Sequence, residues 1–307
     1  MLLKVYTMHD SLLTIRDFIR YAVTNFRKNN LFFGHGNANA YDEAVCLVLQ
    51  SLHLPIEQLE PYLDARLLAD EKELIFSRIK ERVEKRIPLA YITNEAFLQG
   101  FSFFVDNRVI IPRSFIAEHI MNGQLDEWVE HHELVHNVLD LCTGNGSLAT
   151  IAAHYYYDAD VVASDISEGA LDVAAINIER NQVDDRVTLI KSDLFNELGD
   201  YFESFDLIIT NPPYVDKRRM SNLPKEYEYE PNLALFGGNS GLEFVDKILK
   251  QAKYYLSDFG ILVVEMGDNR YELEEMYPDL PFKWLDSVSG DGVVFVLTKA
   301  DLLDYFD

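Results

Sequence analysis

The four residues Asn211-Pro212-Pro213-Tyr214 concentrate most of the chemical information in this 307-residue chain. They follow the apolar run Phe205-Asp206-Leu207-Ile208-Ile209-Thr210. Each proline fixes φ and lacks an N–H, so the pair cannot continue a strand and forces a stiff turn at its end. The turn gathers the Asn211 amide, unpaired backbone carbonyls and the Tyr214 ring at one point. An amide oxygen beside a carbonyl is an acceptor pair suited to a planar NH2 group. An aromatic ring can stack on the plane that carries that NH2. This is equipment for chemistry on an amide or amino nitrogen.

A second constellation lies upstream, in Asp140-Leu141-Cys142-Thr143-Gly144-Asn145-Gly146-Ser147-Leu148-Ala149. Its glycines permit a tight strand-to-helix turn and close approach of a ligand to the backbone. Asp165 closes the next strand pattern 19 residues beyond Gly146, where a carboxylate can accept both hydroxyls of a ribose. Ser192-Asp193-Leu194-Phe195 ends the third strand pattern and could flank an adenine with one carboxylate and apolar walls. Asp140, four residues before Gly144, offers a carboxylate to a methionine-type ammonium. Gly-x-Gly-x-x-Ala alone fits a dinucleotide-binding dehydrogenase as well as a methyltransferase. The chain shows no separate catalytic histidine or lysine motif for a dehydrogenase, and the Pro-Pro turn after the fourth strand decides for methyl transfer.

Three kinds of segment must position these residues. Apolar residues recur at helical spacing from Asp10 to about Arg86, predicting three helices. Residues 1–95 therefore read as a small helical domain, to which the family resemblance given below assigns substrate recognition. Phe97 to Ile111 is rich in Phe and Val with Asp106-Asn107 midway, which predicts a β-hairpin linker over 96–112. Phe115 to Val129 reads as helical. From Val135 short apolar runs alternate with helical stretches: Val135–Leu141, Asp160–Ser164, Arg186–Ile190, Asp206–Thr210, Gly260–Glu265 and Val293–Leu297. That alternation predicts a doubly wound, Rossmann-like α/β domain over 113–307, with the strand ends and their ligands on one carboxyl edge. Asp301 to Asp307 reads as a short helix or a tail.

Composition narrows the function classes. The chain is 48% hydrophobic and 25% charged, an ordinary globular balance. No run has the apolar length of a membrane span, and the first residues lack a signal-peptide pattern. Two distant cysteines, Cys46 and Cys142, make no disulfide framework, which fits a reducing cytoplasm. A net charge of −24 fits a basic macromolecular partner and opposes binding to a phosphate backbone. Other patterns have bland readings. His132-Glu133-Leu134-Val135-His136 matches a zinc-protease spacing, yet His136 leads into an apolar strand, so the two histidines cannot share a helix face. No metal is expected. Cys142 reads as a small apolar residue in a packed turn. Asp193, Glu226 and Glu230 could be acid–base groups, although Glu230-Pro231 reads better as ordering the loop after the active turn. Tyr155-Tyr156-Tyr157 reads as helix-end packing, and the Phe-rich hairpin as either substrate contact or packed connector.

Asp140-x-x-x-Gly144-x-Gly146 followed by Asn211-Pro212-Pro213-Tyr214 resembles the S-adenosylmethionine-dependent amino methyltransferases. Leu223-Pro224-x-Glu226-Tyr227-x-x-Glu230-Pro231-x-Leu233-Ala234-Leu235, then Gly241-Leu242, is similar to the protein-glutamine N5-methyltransferases. Val109-Ile110-Ile111-Pro112-Arg113-Ser114, Cys142 and Leu194 fit the branch that acts on large-subunit ribosomal protein three. The sister branch, which modifies peptide release factors, usually has glycine for Cys142 and tryptophan for Leu194. Phe115 and Ala117 depart from the branch, which usually has proline and glycine there.

The resemblance implies S-adenosylmethionine as cofactor. It would be held by Asp140, Cys142, Thr143, Gly144, Gly146, Asp165, Asp193, Leu194 and Asn211, with Leu194 against the adenine. Asn211, Pro212, Pro213 and Tyr214 would be catalytic: the Asn211 oxygen and the Pro212 carbonyl accept the amide N–H bonds, and Tyr214 stacks on the glutamine. The partner would be a basic ribosomal protein, without direct nucleic-acid contact. Release-factor methylation, DNA adenine N6-methylation and a non-enzymatic ribosome-assembly role are the alternatives.

Overall fold

The computed structural model describes residues 11–129, 132–287 and 291–306. These fall into two compact units. The first holds the chain up to Glu95 together with Pro224–Tyr229; the second holds Ala96–Leu223 and Glu230–Asp307.

The first unit is helical: α1 Ile15–Lys28, α2 Ala40–Ser51, α3 Ala69–Lys80 and α4 Leu89–Thr93. Thr14 and Asp17 form a reciprocal capping box that starts α1, one residue pair satisfying two orphan donors. Asn39 caps α2. The predicted periodicity is met by a core of Phe18, Phe26, Leu47, Leu49 and Ile75, all fully buried. Asp10, the expected start of the first helix, lies outside the described residues. The third helix runs on past α3 as a π-turn, Glu81–Lys85. There Arg82 is buried with Glu43 at 2.6 Å and donates to the Phe32 carbonyl at 2.7 Å. Glu226, carried into this unit by Pro224–Tyr229, accepts from the Phe32 N–H at 3.0 Å and pairs with Arg86 at 3.0 Å. Residues 113–307 are therefore not one continuous unit, as the sequence pattern predicted. Glu226 is an internal ion-pair partner of the helical unit.

The second unit begins with a short hairpin, β1 Glu95–Leu98 and β2 Phe101–Phe104. Its turn is Gln99-Gly100, both at positive φ, as a two-residue hairpin of this hand requires. The expected turn at Asp106-Asn107 is a correction: those residues follow β2, and Asp106 clamps Arg108 in a bidentate pair. After α5 Ile116–Met121 comes a seven-stranded sheet built from β3 Asn137–Leu141, β4 Asp160–Asp165, β5 Val187–Lys191, β6 Phe205–Thr210, β7 Leu256–Glu265, β8 Lys283–Asp286 and β9 Asp291–Thr298. Their spatial order is β5-β4-β3-β6-β7-β9-β8. β3 to β7 pair in parallel, and only β9 runs against its neighbours. β8 has no counterpart in the sequence reading, because Lys283-Trp284-Leu285-Asp286 is short and half-buried. α6 Ser147–Tyr155 and α7 Glu168–Arg180 follow β3 and β4. α8 Lys217–Met220, α9 Asn232–Leu235 and α10 Glu243–Gln251 lie between β6 and β7, α11 Arg270–Met276 follows β7, and α12 Lys299–Phe306 ends the described chain. The expected helix over Phe115–Val129 stops at Met121, and the remainder is turns. His132–Leu134 is a single 3₁₀ turn, and His136 precedes β3.

Apolar clusters cover both faces of the sheet, as a parallel sheet demands. The first chain crossover reverses between β3 and β6. Ligands bind at such a point, outside the carboxyl ends of the strands.

Candidate active site

Cys142, Gly144 and Gly146 all sit at positive φ directly after β3. This coil of left-handed positions ends the strand and starts α6. A Cβ placed on Gly144 would meet nothing within 4 Å, so the backbone there borders open space. At Gly146 a Cβ would lie 3.0 Å from the Ala174 Cβ, so that glycine lets α6 pack on α7. The Asp165 carboxylate accepts from the Gly144 N–H at 2.9 Å and the Ser167 N–H at 2.8 Å. Burial raises its pKa against the pull of those N–H groups. The Ile166 N–H also acts on it, and a carboxylate has about four acceptor sites, which leaves some capacity for a ribose hydroxyl.

Leu194, also at positive φ, bends the loop after β5, and the Ser192 hydroxyl donates to the Leu194 carbonyl at 2.5 Å. Asn211 stands at the end of β6, half-buried, beside Thr210, whose hydroxyl ties β6 to the Leu141 carbonyl at 2.7 Å. The strand ends border a cleft that is open to solvent at its mouth. Among its walls are Cys142, Gly144, Asp165, Asp193, Leu194, Asn211 and Pro213. These seven predicted site residues come together from four strand ends.

Six others do not line the cleft. Asp140 is fully buried, and its carboxylate accepts from the Thr143 hydroxyl at 2.5 Å and the Ala149 N–H at 2.9 Å. Burial pushes its pKa up to about 7. Through its Oδ2 Asp140 ties the glycine turn to the first turn of α6, and among the described residues its Oδ1 has no hydrogen-bond partner. Thr143 and Gly146 belong to that same buried turn. Pro212 is buried, and the Tyr214 ring lies against Gly267, where an added Cβ would come within 2.6 Å of Tyr214 Cε2. Phe195, expected as an apolar wall, stacks instead on Tyr255 with ring centroids 4.6 Å apart.

The sequence reading missed the Arg108-Val109-Ile110 wall and the residues Ile166, Ala170 and Phe244. One signal was present: Ile166 is a large apolar residue placed directly after Asp165, and it stays 47% exposed. The segment that carries Arg108 to Ile110 is pinned from behind. Arg113 holds the buried Glu230 through two contacts at 2.6 and 2.8 Å, and Glu230 also accepts from the Ile111 N–H at 3.0 Å. Glu230 is therefore a structural anchor. One residue on, Ser114 donates to the buried Glu265 at 2.6 Å and the Phe115 N–H does so at 2.8 Å. Burial raises the Cys142 thiol above its ordinary value, helped by the Asp165 and Asp140 carboxylates, so it is no thiolate nucleophile.

A cleft bordered by Gly144 at the carboxyl ends of parallel strands thus carries Asp165 and Asn211 on its walls. Together with a sheet of this strand order it defines a class I methyltransferase, and S-adenosylmethionine is the donor such an enzyme uses. The family described as methyltransferase small domain matches residues 124–225. The ribosomal protein uL3 glutamine methyltransferase of Neisseria gonorrhoeae is 51% identical over 95% of this chain and 96% of its own length. Those of Burkholderia pseudomallei and Francisella tularensis are 46% and 43% identical over 94% and 97% of this chain, and 95% and 94% of their own lengths. This chain belongs to the ribosomal protein uL3 glutamine methyltransferases. The solved catalytic domain of hMettl16, in complex with MAT2A 3'UTR hairpin 6, shares 15% identity over 76% of this chain and 84% of its own, with a TM-score of 0.50. That likeness concerns the fold alone.

Proposed function

We propose that this enzyme transfers the methyl group of S-adenosylmethionine to the side-chain amide nitrogen of a glutamine in ribosomal protein uL3. The observation that carries the catalytic reading is Asn211 on the wall of the same cleft as Gly144 and Asp165. The cofactor, when bound, supplies a methyl carbon activated by a sulfonium. The residues present suit it: open space beside Gly144, spare acceptor capacity on Asp165, and apolar Ile166 and Leu194 for a base.

An amide nitrogen shares its lone pair with its carbonyl and is a poor nucleophile. The Asn211 oxygen would accept one of its N–H bonds and a backbone carbonyl of the Asn211–Pro213 turn the other, turning the lone pair toward the methyl carbon. This is catalysis by position and electrostatics. As the nitrogen–carbon bond formed, the carbon–sulfur bond would break, and the acidic alkylated amide would pass one proton to solvent without a strong base. Homologue names and the acidic balance of the chain support a basic ribosomal protein as partner. Among the described residues no helix is long and apolar enough to cross a membrane, and a ribosomal substrate supports a reaction in the cytoplasm.

The test offers purified uL3 and purified release factors with labelled cofactor. The expected outcome is label on one uL3 glutamine, read by peptide mass as the gain of one methylene. Labelling of release factors alone would overturn the assignment. Asn211→Ala is expected to lower turnover about 100-fold or more, typical for losing one oriented polar group. Near-normal turnover in that variant would remove the amide clamp.

A further inference from the structure

The reactive turn is held from its outer side by the loop that follows β7. The Tyr214 carbonyl accepts from Asn269 Nδ2 at 2.7 Å, and Asn269 is only 2% exposed. Asn269 Oδ1 in turn accepts from Arg219 Nη1 at 2.5 Å. Arg219 is steadied by Asp216, 3.3 Å from its Nε, and by the Asp268 carbonyl, 3.5 Å from Nη2. Asp216 also caps α8 by accepting from the N–H groups of Arg218 and Arg219 at 2.7 and 2.9 Å. The orientation of the Asn269 amide follows from chemistry. A guanidinium only donates and a peptide carbonyl only accepts, so the amide oxygen must face Arg219 and the NH2 must face Tyr214. A carboxylate in the same place could satisfy only the arginine.

The backbone around this bond leaves little room for adjustment. A Cβ on Gly241 would lie 2.5 Å from the Tyr214 carbonyl oxygen, and one on Gly237 would lie 2.6 Å from that of Pro213. The turn is thus seated on glycines, and the Asn269 amide sets the tilt of its last peptide. Asn211 and Pro213 line the cleft, and both precede that peptide by no more than three residues.

We propose that Asn269, oriented by Arg219, is a positioning residue for methyl transfer: by holding the Tyr214 carbonyl it sets the Asn211–Tyr214 turn against the cleft. The proposal rests on the reading of Asn211 as the acceptor of the substrate amide. Misplacing a reacting group by about 1 Å costs on the order of 100-fold, and tilting this turn would displace the clamp by such amounts.

Asn269→Asp is the decisive variant, because it keeps the size and the arginine partner and turns the donor toward Tyr214 into a carboxylate oxygen. Its kcat is expected to fall about 10- to 100-fold, while the dissociation constant for S-adenosylmethionine, measured by calorimetry, changes by less than about twofold. Arg219→Met frees the amide to rotate and should lower kcat about 3- to 10-fold, with Arg219→Lys recovering part of the loss. Arg219 has a side chain 39% exposed, so its variants carry the test should Asn269→Asp fail to fold. Asn211→Ala runs alongside as reference. A dead Asn211→Ala with full turnover in Asn269→Asp and Arg219→Met overturns this inference alone. Full turnover in Asn211→Ala overturns the reading of the turn on which it rests. A purely structural role, seen as lowered melting temperature or weakened cofactor binding with unchanged kcat, also overturns it.

Discussion

Cys142 shows how a single residue can carry both strain and identity. At φ 64° it occupies a left-handed position that costs a residue with a Cβ about 1–2 kcal/mol relative to glycine. The same residue walls the cleft. Cys142→Gly should relieve that strain while giving up a little packing and adding chain entropy in the unfolded state. Its expected effect on stability is within about 1 kcal/mol. Cys142→Val places a β-branched side chain at the same φ and is expected to cost about 2 kcal/mol or more. Thermal melts of both variants with the parent check this ordering; equal losses would mean that backbone strain is absent. The chemical identity of Cys142, Asp165, Leu194 and Asn211 as cleft residues was legible in the sequence, because strand-end position alone implies it. The inward turn of Asp140 was not legible, since a strand residue alternates faces and only the packing of α6 shows which face Asp140 meets.

At the scale of elements, the segment after the hairpin is held by two buried carboxylates. Glu230 is fully buried and Arg113 is its bidentate partner. Arg113→Met would leave that charge without its guanidinium, at an expected cost of about 3–5 kcal/mol, readable by denaturant unfolding; a loss under about 1 kcal/mol would mean that Glu230 reaches water or another donor. Glu265 is held differently. Burial pushes its carboxyl up to about 7 from an ordinary value of 4.5, against the hydrogen bonds from Ser114 and Phe115. The folded state therefore keeps this proton at pH values where the unfolded chain has lost it. Stability from this group is full below about pH 4.5 and declines as pH rises toward 7. Glu265→Gln should remove that part of the slope, so its melting temperature relative to the parent should rise between pH 5 and pH 8. A constant difference across that range would show that Glu265 titrates normally. The hairpin's position was legible in its Phe-rich pattern, but its turn was not. Asp106-Asn107 is the stronger turn signal by composition, and Gln99-Gly100 wins because it leaves Asp106 free to clamp Arg108.

Across the whole molecule, the negative charge is unevenly divided. The helical unit carries 13 Lys and Arg against 15 Asp and Glu, whereas the methyltransferase unit carries 14 against 36. The net charge that would attract a basic substrate at long range therefore lies on the methyltransferase unit. Raising salt from 50 to 300 mM should raise KM for intact uL3 by about tenfold, because screening shortens the reach of these charges. KM for a short neutral glutamine peptide should move far less, and an equal response would remove the electrostatic steering. The sequence by itself determined the α/β class, the positions of most strands along the chain and the carboxyl-edge placement of the cleft residues, because hydrophobic period and punctuation by glycine and proline are local properties. Tertiary structure alone decided that Pro224–Tyr229 leaves the sheet-bearing unit to bury Glu226 beside Arg82 and Arg86, that Arg108 to Ile110 become a cleft wall, and that Asn269 reaches back to Tyr214. Each of these joins residues at least 50 positions apart or places a segment by what it packs against, and no local pattern encodes such a pairing.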